Sequence, residues 1–179
     1  MPARGRTEQT GCDGSPVRGV SGQAALNGGT SRERAQAYLA AHHVMTLATG
    51  GEEGPWAAAV FYVHEGWALY FLSAPTSRHA RAIAQSARVS AAIQEDYSDW
   101  KEIKGVQLEG IATRLSGDEE ERVRSLYAAK FPLLRNAADA PGAIAAALKK
   151  IGWYRLSPQR VYFIDNSVAF GHRDEIDLR

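Results

Sequence analysis

Short apolar runs rich in β-branched and aromatic residues recur along this chain, with turn-forming residues between them. Residues 44–49 (VMTLAT), 56–64 (WAAAVFYVH) and 67–73 (WALYFLS) read as strands. The connectors "GGEEGP" and "EG" have hairpin composition. Residues 88–95 (RVSAAIQE) and 105–116 (GVQLEGIATRLS) are strand-like too, and Gly110 interrupts the second as a candidate bulge. Near the end come "GWYRLSP" and "RVYFID", then a tail, "NSVAFGHRDEIDLR". Between these runs the spacing turns helical. Thr30 and Glu33 have capping-box spacing before "SRERAQAYLAAHH", and Ser116 and Glu119 have it before "GDEEERVRSLYAAKF". Ser77 reads as the N-cap of a short helix over 78–85, and "PGAIAAALKK" reads as a helix with Pro141 near its first position. Short strands joined mostly by turns argue against βαβ units. The expected fold is mainly β with peripheral helices (α+β): a small antiparallel barrel.

Composition narrows the class. The chain has 179 residues, 45% hydrophobic and 23% charged, with net charge +1. That suits one domain with a real core and gives no electrostatic footprint for nucleic acid or a membrane surface. The longest apolar run, "WAAAVFYV", is far short of the ~20 residues a membrane helix needs. The lone Cys12 excludes an intrachain disulfide framework. No stretch near the start resembles a signal peptide, so the expectation is a soluble cytoplasmic protein. Residues 1–29 hold seven of the 17 glycines and no aromatic residue. They are expected to form a disordered tail ahead of a domain over 30–179.

Candidate chemistry gathers at residues 73–81. The helix after Ser77 opens with Arg78, His79 and Arg81, although cations are unfavourable at the positive end of the helix dipole. The helix over 117–131 opens with acidic residues, as the dipole favours. An N-cap hydroxyl, free backbone N–H groups and cations at one helix start form an anion trap suited to phosphate. The other reading is a surface helix whose cations pair with acidic residues elsewhere. On the neighbouring strand Ala57, Ala58 and Ala59 leave backbone open to a flat ring, or form a plain core strand. His42 and His43 suit the C-terminal end of the first helix. Trp153 is expected to anchor core or interface, and no metal-ligand spacing is present.

Four segments occur in a telling order: "AAVFYV", "YFLSAPTSRHARAI", "GVQLEGIATRLS" and "WYRLSPQRVYF". In that order the chain resembles the pyridoxamine 5′-phosphate oxidase-like family of FMN-binding split barrels, over residues 31–165. The ending "DNSVAFGHRDEI" looks like that of an uncharacterised bacterial subgroup of the family. The resemblance implies a split β-barrel that binds FMN at a homodimer interface. Arg78 and His79 stand where the family grips the flavin phosphate. Ser73 and Ser77 would add hydroxyl contacts, and the Leu72 backbone would lie beside the cofactor. Ala57, Ala58, Ala59, Val60, Phe61 and Tyr62 would run past the isoalloxazine ring. Gln107 lies near the family's glutamine, within one or two positions. Trp100 is a candidate for shielding the ring.

Two departures stand out. His79 replaces the family's lysine, which makes the charge there pH-dependent. At the family's substrate segments Tyr127, Pro132 and His172 match, but the two arginine positions are Phe131 and Phe170, with Lys130 and Arg173 beside them. Losing a bidentate anion clamp argues against vitamin B6 oxidation. The implied activity is flavin-dependent oxidoreduction of a small organic substrate or a nicotinamide. The alternatives are a flavin-binding, storage or sensing protein without turnover, and a related barrel that takes deazaflavin or haem, with His172 or His79 as axial ligand.

Overall fold

The computed structural model describes residues 29–131 and 150–179. The Gly-rich start, Cys12, Pro132 and nearly all of the helix expected over 141–150 lie outside the described residues.

Helix α1 (Ser31–Ala41) starts in the expected capping box: Thr30 accepts from the Glu33 N–H, and the Glu33 carboxylate accepts from the Thr30 N–H. Strands β1 (Val44–Thr49), β2 (Trp56–Glu65) and β3 (Ala68–Ser73) follow as two hairpins. Helix α2 (Arg78–Gln85) is capped by Ser77, whose Oγ accepts from the Ala80 N–H. Strand β4 (Arg88–Gln94), a 3₁₀ turn (Trp100–Glu102) and strand β5 (Lys104–Arg114) come next. Helix α3 (Gly117–Lys130), the long strand β6 (Gly152–Asp165) and the short β7 (Arg173–Glu175) complete the described chain.

The strands run in the order β3-β2-β1-β4-β5-β6, and β3 also pairs with β6. That extra pairing closes a six-stranded antiparallel barrel and leaves no long free edge in it. Strand β7 adds to the outside of β6. The fold is therefore the expected mainly-β barrel with peripheral helices.

Alternation explains the barrel interior. Met45, Leu47, Tyr62, Phe71, Ile93, Val106, Leu108, Leu156 and Phe163 point inward and are buried. Helix α1 lays Ala35, Tyr38 and Leu39 on this core, and Tyr62 donates its hydroxyl to the Leu39 carbonyl at 2.8 Å. Arg34 pairs with the buried Asp165 and so ties α1 to the end of β6. A second cluster (Val63, Tyr70, Leu115, Val123, Tyr127 and Trp153) packs α3 against β2, β3 and β6.

Gly110 marks a bulge, as expected: the β5–β6 register shifts between Glu109 and Gly110. A Cβ on Gly110 would lie 2.2 Å from the Ser157 carbonyl oxygen, so the strands approach too closely for any side chain.

Three expectations differ. Ser116 makes no side-chain cap bond. Gly117 opens α3 with φ of +61° instead, and Glu119 reaches Arg155 at 2.9 Å. "GWYRLSP" and "RVYFID" form one continuous strand. Part of the tail pairs as β7.

Candidate functional site

The end of β3 and the start of α2 meet the hairpin that joins β1 to β2. Ser73, the last residue of β3, is buried. Its Oγ lies 2.6 Å from His79 Nε2 and 2.8 Å from Ser77 Oγ. Burial lowers the His79 pKa below its usual 6.5, which favours the neutral imidazole. Three of the expected residues, Ser73, Ser77 and His79, thus meet through their side chains, and Arg78 lies beside them in sequence at the helix start.

The two arginines are engaged by a residue the sequence did not single out. Arg81 Nη2 contacts Glu53 Oε1 at 2.9 Å, and Arg78 Nη2 donates to the Glu53 carbonyl at 2.6 Å. Arg81 also donates to the Thr76 carbonyl at 2.6 Å. The Arg78 guanidinium lies over the Trp56 ring, 4.5 Å from its centroid. Glu53 has its pKa lowered, first by the hydrogen bond and charge of Arg81 and then by Arg78. These cations thus pair with an acidic residue, as the second reading of the sequence expects. The pairing is incomplete, because Arg78 Nε is buried with no hydrogen-bond partner and Glu53 Oε2 stops 3.6 Å away. A phosphate oxygen fits the chemistry of that free donor together with the serine hydroxyls.

Beside this cluster the barrel presents an open outer face. Ala57, Ala59 and Phe61 of β2 are exposed, whereas Val60 and Tyr62 point into the core and Ala58 packs against it. Register carries two rows across the sheet: Ala59, Thr46, Ala92, Gln107 and Tyr162; and Ala57, Ala48, Ser90, Glu109 and Arg160. The small residues leave a shallow trough of about 360 Å³ bounded by Gln107, Tyr162 and Arg173. Gln107 stands three strands from Ala59, roughly 14 Å at the usual strand spacing. The structure therefore separates Gln107 from the 73–81 cluster within one chain. Leu72 is half-buried, with its side chain in the α3 cluster.

The candidate substrate residues do not converge. Tyr127 is buried, its hydroxyl donates to the Phe61 carbonyl, and burial raises its pKa. Lys130 donates to the His42 carbonyl at 2.6 Å and lies over the Tyr62 ring; burial lowers its pKa. His172 meets Asp174 Oδ2 at 3.1 Å, and the Arg173 guanidinium stacks over Tyr162. Phe131 packs on Phe61 and Tyr127, while Phe170 is 81% exposed and meets Trp100 edge-on at 5.4 Å. His42 holds the Tyr38 carbonyl at 2.6 Å, as a helix C-cap would, and reaches Glu95 at 2.8 Å.

Glu53 and Trp56 were missed because both lie where alternation ends. The hairpin "GGEEGP" was legible, and the Trp56–Thr49 pairing that aims it at α2 is a matter of register. Among the described residues no cluster of His, Cys, Asp and Glu could hold a metal ion, and no helix is long and apolar enough to cross a membrane.

Comparison with known proteins agrees with this architecture. A profile described as pyridoxamine 5′-phosphate oxidase matches residues 31–165. A UPF0306 protein of Klebsiella pneumoniae is 33% identical over 138 residues, covering 76% of this chain and 86% of the relative. A UPF0306 protein of Serratia proteamaculans is 34% identical over 136 residues, covering 75% and 86%. Among solved structures, a haem-binding protein from Mycobacterium smegmatis superposes with a TM-score of 0.67 at 26% identity. It covers 84% of this chain, which in turn spans 59% of that protein. The haem storage protein HutZ of Vibrio cholerae gives a TM-score of 0.57 at 20% identity over 70% of this chain and 89% of its own. An FAD-binding protein from Mesorhizobium loti gives 0.55 at 20% identity over 71% and 88%. On the match over residues 31–165, the chain belongs to the pyridoxamine 5′-phosphate oxidase family.

Proposed function

We propose that this protein binds FMN and acts as a flavin-dependent oxidoreductase on a small organic substrate or a nicotinamide. The observation that carries this reading is the Ser73–Ser77–Arg78–His79 cluster with its unpartnered, buried Arg78 Nε, set beside the open Ala57–Ala59 stretch of β2. The cluster would hold the flavin phosphate, and the uncovered strand would receive the ring. The flavin supplies the redox chemistry, so a titrating side chain at the ring is not required.

In this reading the molecule works as a homodimer through the outer face of β2, β1, β4 and β5. That face carries small residues on neighbouring strands. Gln107, too far from the phosphate cluster within its own chain, would reach the flavin held by a second copy. Phe131 and Phe170 stand where vitamin B6 oxidases of the family carry arginines, so a pyridoxamine phosphate substrate is not part of the proposal.

The second reading is haem binding, favoured by the likeness to the Mycobacterium smegmatis haem-binding protein. His172 or His79 would be the candidate ligand, the Nε2 of the first meeting Asp174 at 3.1 Å and that of the second Ser73 at 2.6 Å. The absorption spectrum of the purified protein, before and after loading with FMN or with haem and desalting, separates these readings. A retained flavin spectrum supports the first and a Soret band the second. No chromophore after loading with either would overturn both.

A further inference from the structure

Among the described residues, the large apolar side chains left exposed fall into two patches, apart from Trp56 under Arg78. Val44 and Phe61 pair across β1 and β2 on the outer face of the barrel. Trp100 and Ile103 on the β4–β5 connector, with Val168 and Phe170 on the β6–β7 connector, make the second patch. We propose that the two patches are the halves of one self-complementary interface, in which Trp100 and Phe170 of one copy of the chain cover Val44 and Phe61 of a second copy. This rests on the homodimer reading above.

The second patch is held in place by a buried polar bracket. The Asn166 N–H donates to the Ile103 carbonyl at 2.9 Å, its Nδ2 to the Trp100 carbonyl at 2.9 Å, and its Oδ1 accepts from the Gly171 N–H at 3.1 Å. Gly171 turns the chain there with φ of +71°. Trp100 and Phe170 meet edge-on, so the two connectors present their apolar side chains to water as one ordered group. Contiguous apolar surface of this kind marks an interaction site, and fixing it beforehand lowers the entropy cost of binding.

Symmetry names the occupant. If Gln107 on β5 of one copy reaches Ala59 on β2 of the other, the outer faces pack with β2 over β5 and β1 over β4. The two-fold axis then runs along the strands, between β1 and β4, and keeps like ends of the strands together. Val44 and Phe61 lie at the strand end where β4 and β5 meet at Gln94 and Gly105. The connector beyond that end therefore falls on Val44 and Phe61 of the second copy, twice per dimer. Thr46, Ala48, Ser90 and Ala92 around the axis are small enough for close approach. Charge agrees: the connector carries Glu95, Asp96, Asp99 and Glu102 against Lys101, while Lys130 and His43 border the first patch through Phe131. At exposures of 58%, 47% and 81%, Phe61, Trp100 and Phe170 present roughly 400 Å² per copy. That is about half of the ~800 Å² that each side of a stable interface buries. The same rotation sets the partner's connector beside Ala57–Ala59, so the proposed ring site takes a wall from each copy.

The test uses the full chain carrying Cys12→Ser, which removes its one cysteine. A tagged Phe61→Cys chain is co-expressed with an untagged Trp100→Cys chain, and a short bismaleimide joins thiols that lie close together. Mass spectrometry should find a covalent heterodimer. Neither variant alone should give a covalent dimer, because the two-fold keeps like residues apart. Light scattering across a dilution series should show the dimer dissociation constant of Phe170→Asp raised at least about tenfold, as for a central aromatic anchor. A wild-type dimer that gives no covalent heterodimer overturns the proposal and leaves the homodimer reading with a different interface. An equal yield from Trp100→Cys alone, or an unchanged dissociation constant in Phe170→Asp, overturns it in the same way. A wild-type monomer overturns the proposal and the homodimer reading together. A protein that dimerises and cross-links as expected but retains no FMN loses the flavin reading and keeps this interface.

Discussion

Replacing Arg78 with alanine tests the phosphate assignment most directly. Arg78 makes one hydrogen bond to the Glu53 carbonyl and stacks on Trp56 at 4.5 Å. Its side chain is 31% exposed, and its charge contact with Glu53 is 3.6 Å long. Loss of these contacts should cost folding less than about 1 kcal/mol. Ligand binding should lose more. A charge-assisted hydrogen bond to phosphate contributes ~1.5–3 kcal/mol, which is about 10- to 150-fold in Kd. Quenching of flavin fluorescence measures that Kd for wild type and variant. Riboflavin, which lacks the phosphate, serves as the control and should bind both proteins equally. Arg78→Lys should recover part of the loss, since it keeps the charge but not the planar fork. FMN affinity within twofold of wild type in a folded Arg78→Ala protein would refute the reasoning. So would an equal loss for riboflavin, because the arginine would then be shaping the ring site.

Three further outcomes are expected. His79 is held below its usual pKa by burial, and a bound phosphate would raise it, so binding takes up a proton and FMN affinity should rise as pH falls from 8 towards 6.5. The flavin phosphate loses its second charge near pH ~6, which ends the gain, and His79→Gln should flatten the slope; an identical pH profile in that variant removes His79 from the site. Gly110→Ala forces a Cβ to 2.2 Å from the Ser157 oxygen and 2.8 Å from Pro158 Cα, so thermal unfolding should show a loss of at least ~2 kcal/mol. Ala92→Arg places a long cation in the middle of the small-residue face, and light scattering should then report a monomer where the wild type reports a dimer; an unchanged mass moves the interface elsewhere.

The barrel was readable in the sequence because its signals are local. Alternation in β1 and β4 follows directly from one face meeting the core. Ser77 and Thr30 announce their helices through side-chain bonds to backbone three residues on. Gly110 reads as a bulge because nothing larger fits. The features that escaped depend on distant partners. Ser116 has capping-box spacing, yet Glu119 is drawn to Arg155 on another strand. Proline normally ends a strand, but Pro158 sits opposite Gly110 at the register shift, where a missing N–H is tolerated. Strand β7 has three residues, too few to alternate. At the site, the cations of α2 were legible one by one. Their carboxylate partner was not, since only the packing of α2 on β1 and β2 brings residue 53 to residue 81.

The positions of the two phenylalanines bear on what the proposed enzyme would act upon. Phe131 closes α3 and packs on Phe61 at 5.3 Å and Tyr127 at 5.1 Å, with His43 at 5.9 Å. A guanidinium in its place would sit half-buried among these rings, at a desolvation cost. The Lys130 ammonium lies 5.9 Å from the Phe131 ring centroid and donates to the His42 carbonyl. Phe170 meets only the edge of Trp100 and stays exposed, so it offers a ring face and no charge. Among the described residues of this segment, Tyr127 and Lys130 both donate to backbone carbonyls. The cations at 73–81 are claimed in this reading by the cofactor. Exposed aromatic side chains include Phe61 on β2 and, on loops away from it, Trp100 with Phe170. Such surfaces hold a flat, weakly charged molecule by stacking. In the reading proposed above, such faces would suit the flat ring of a small organic substrate or of a nicotinamide.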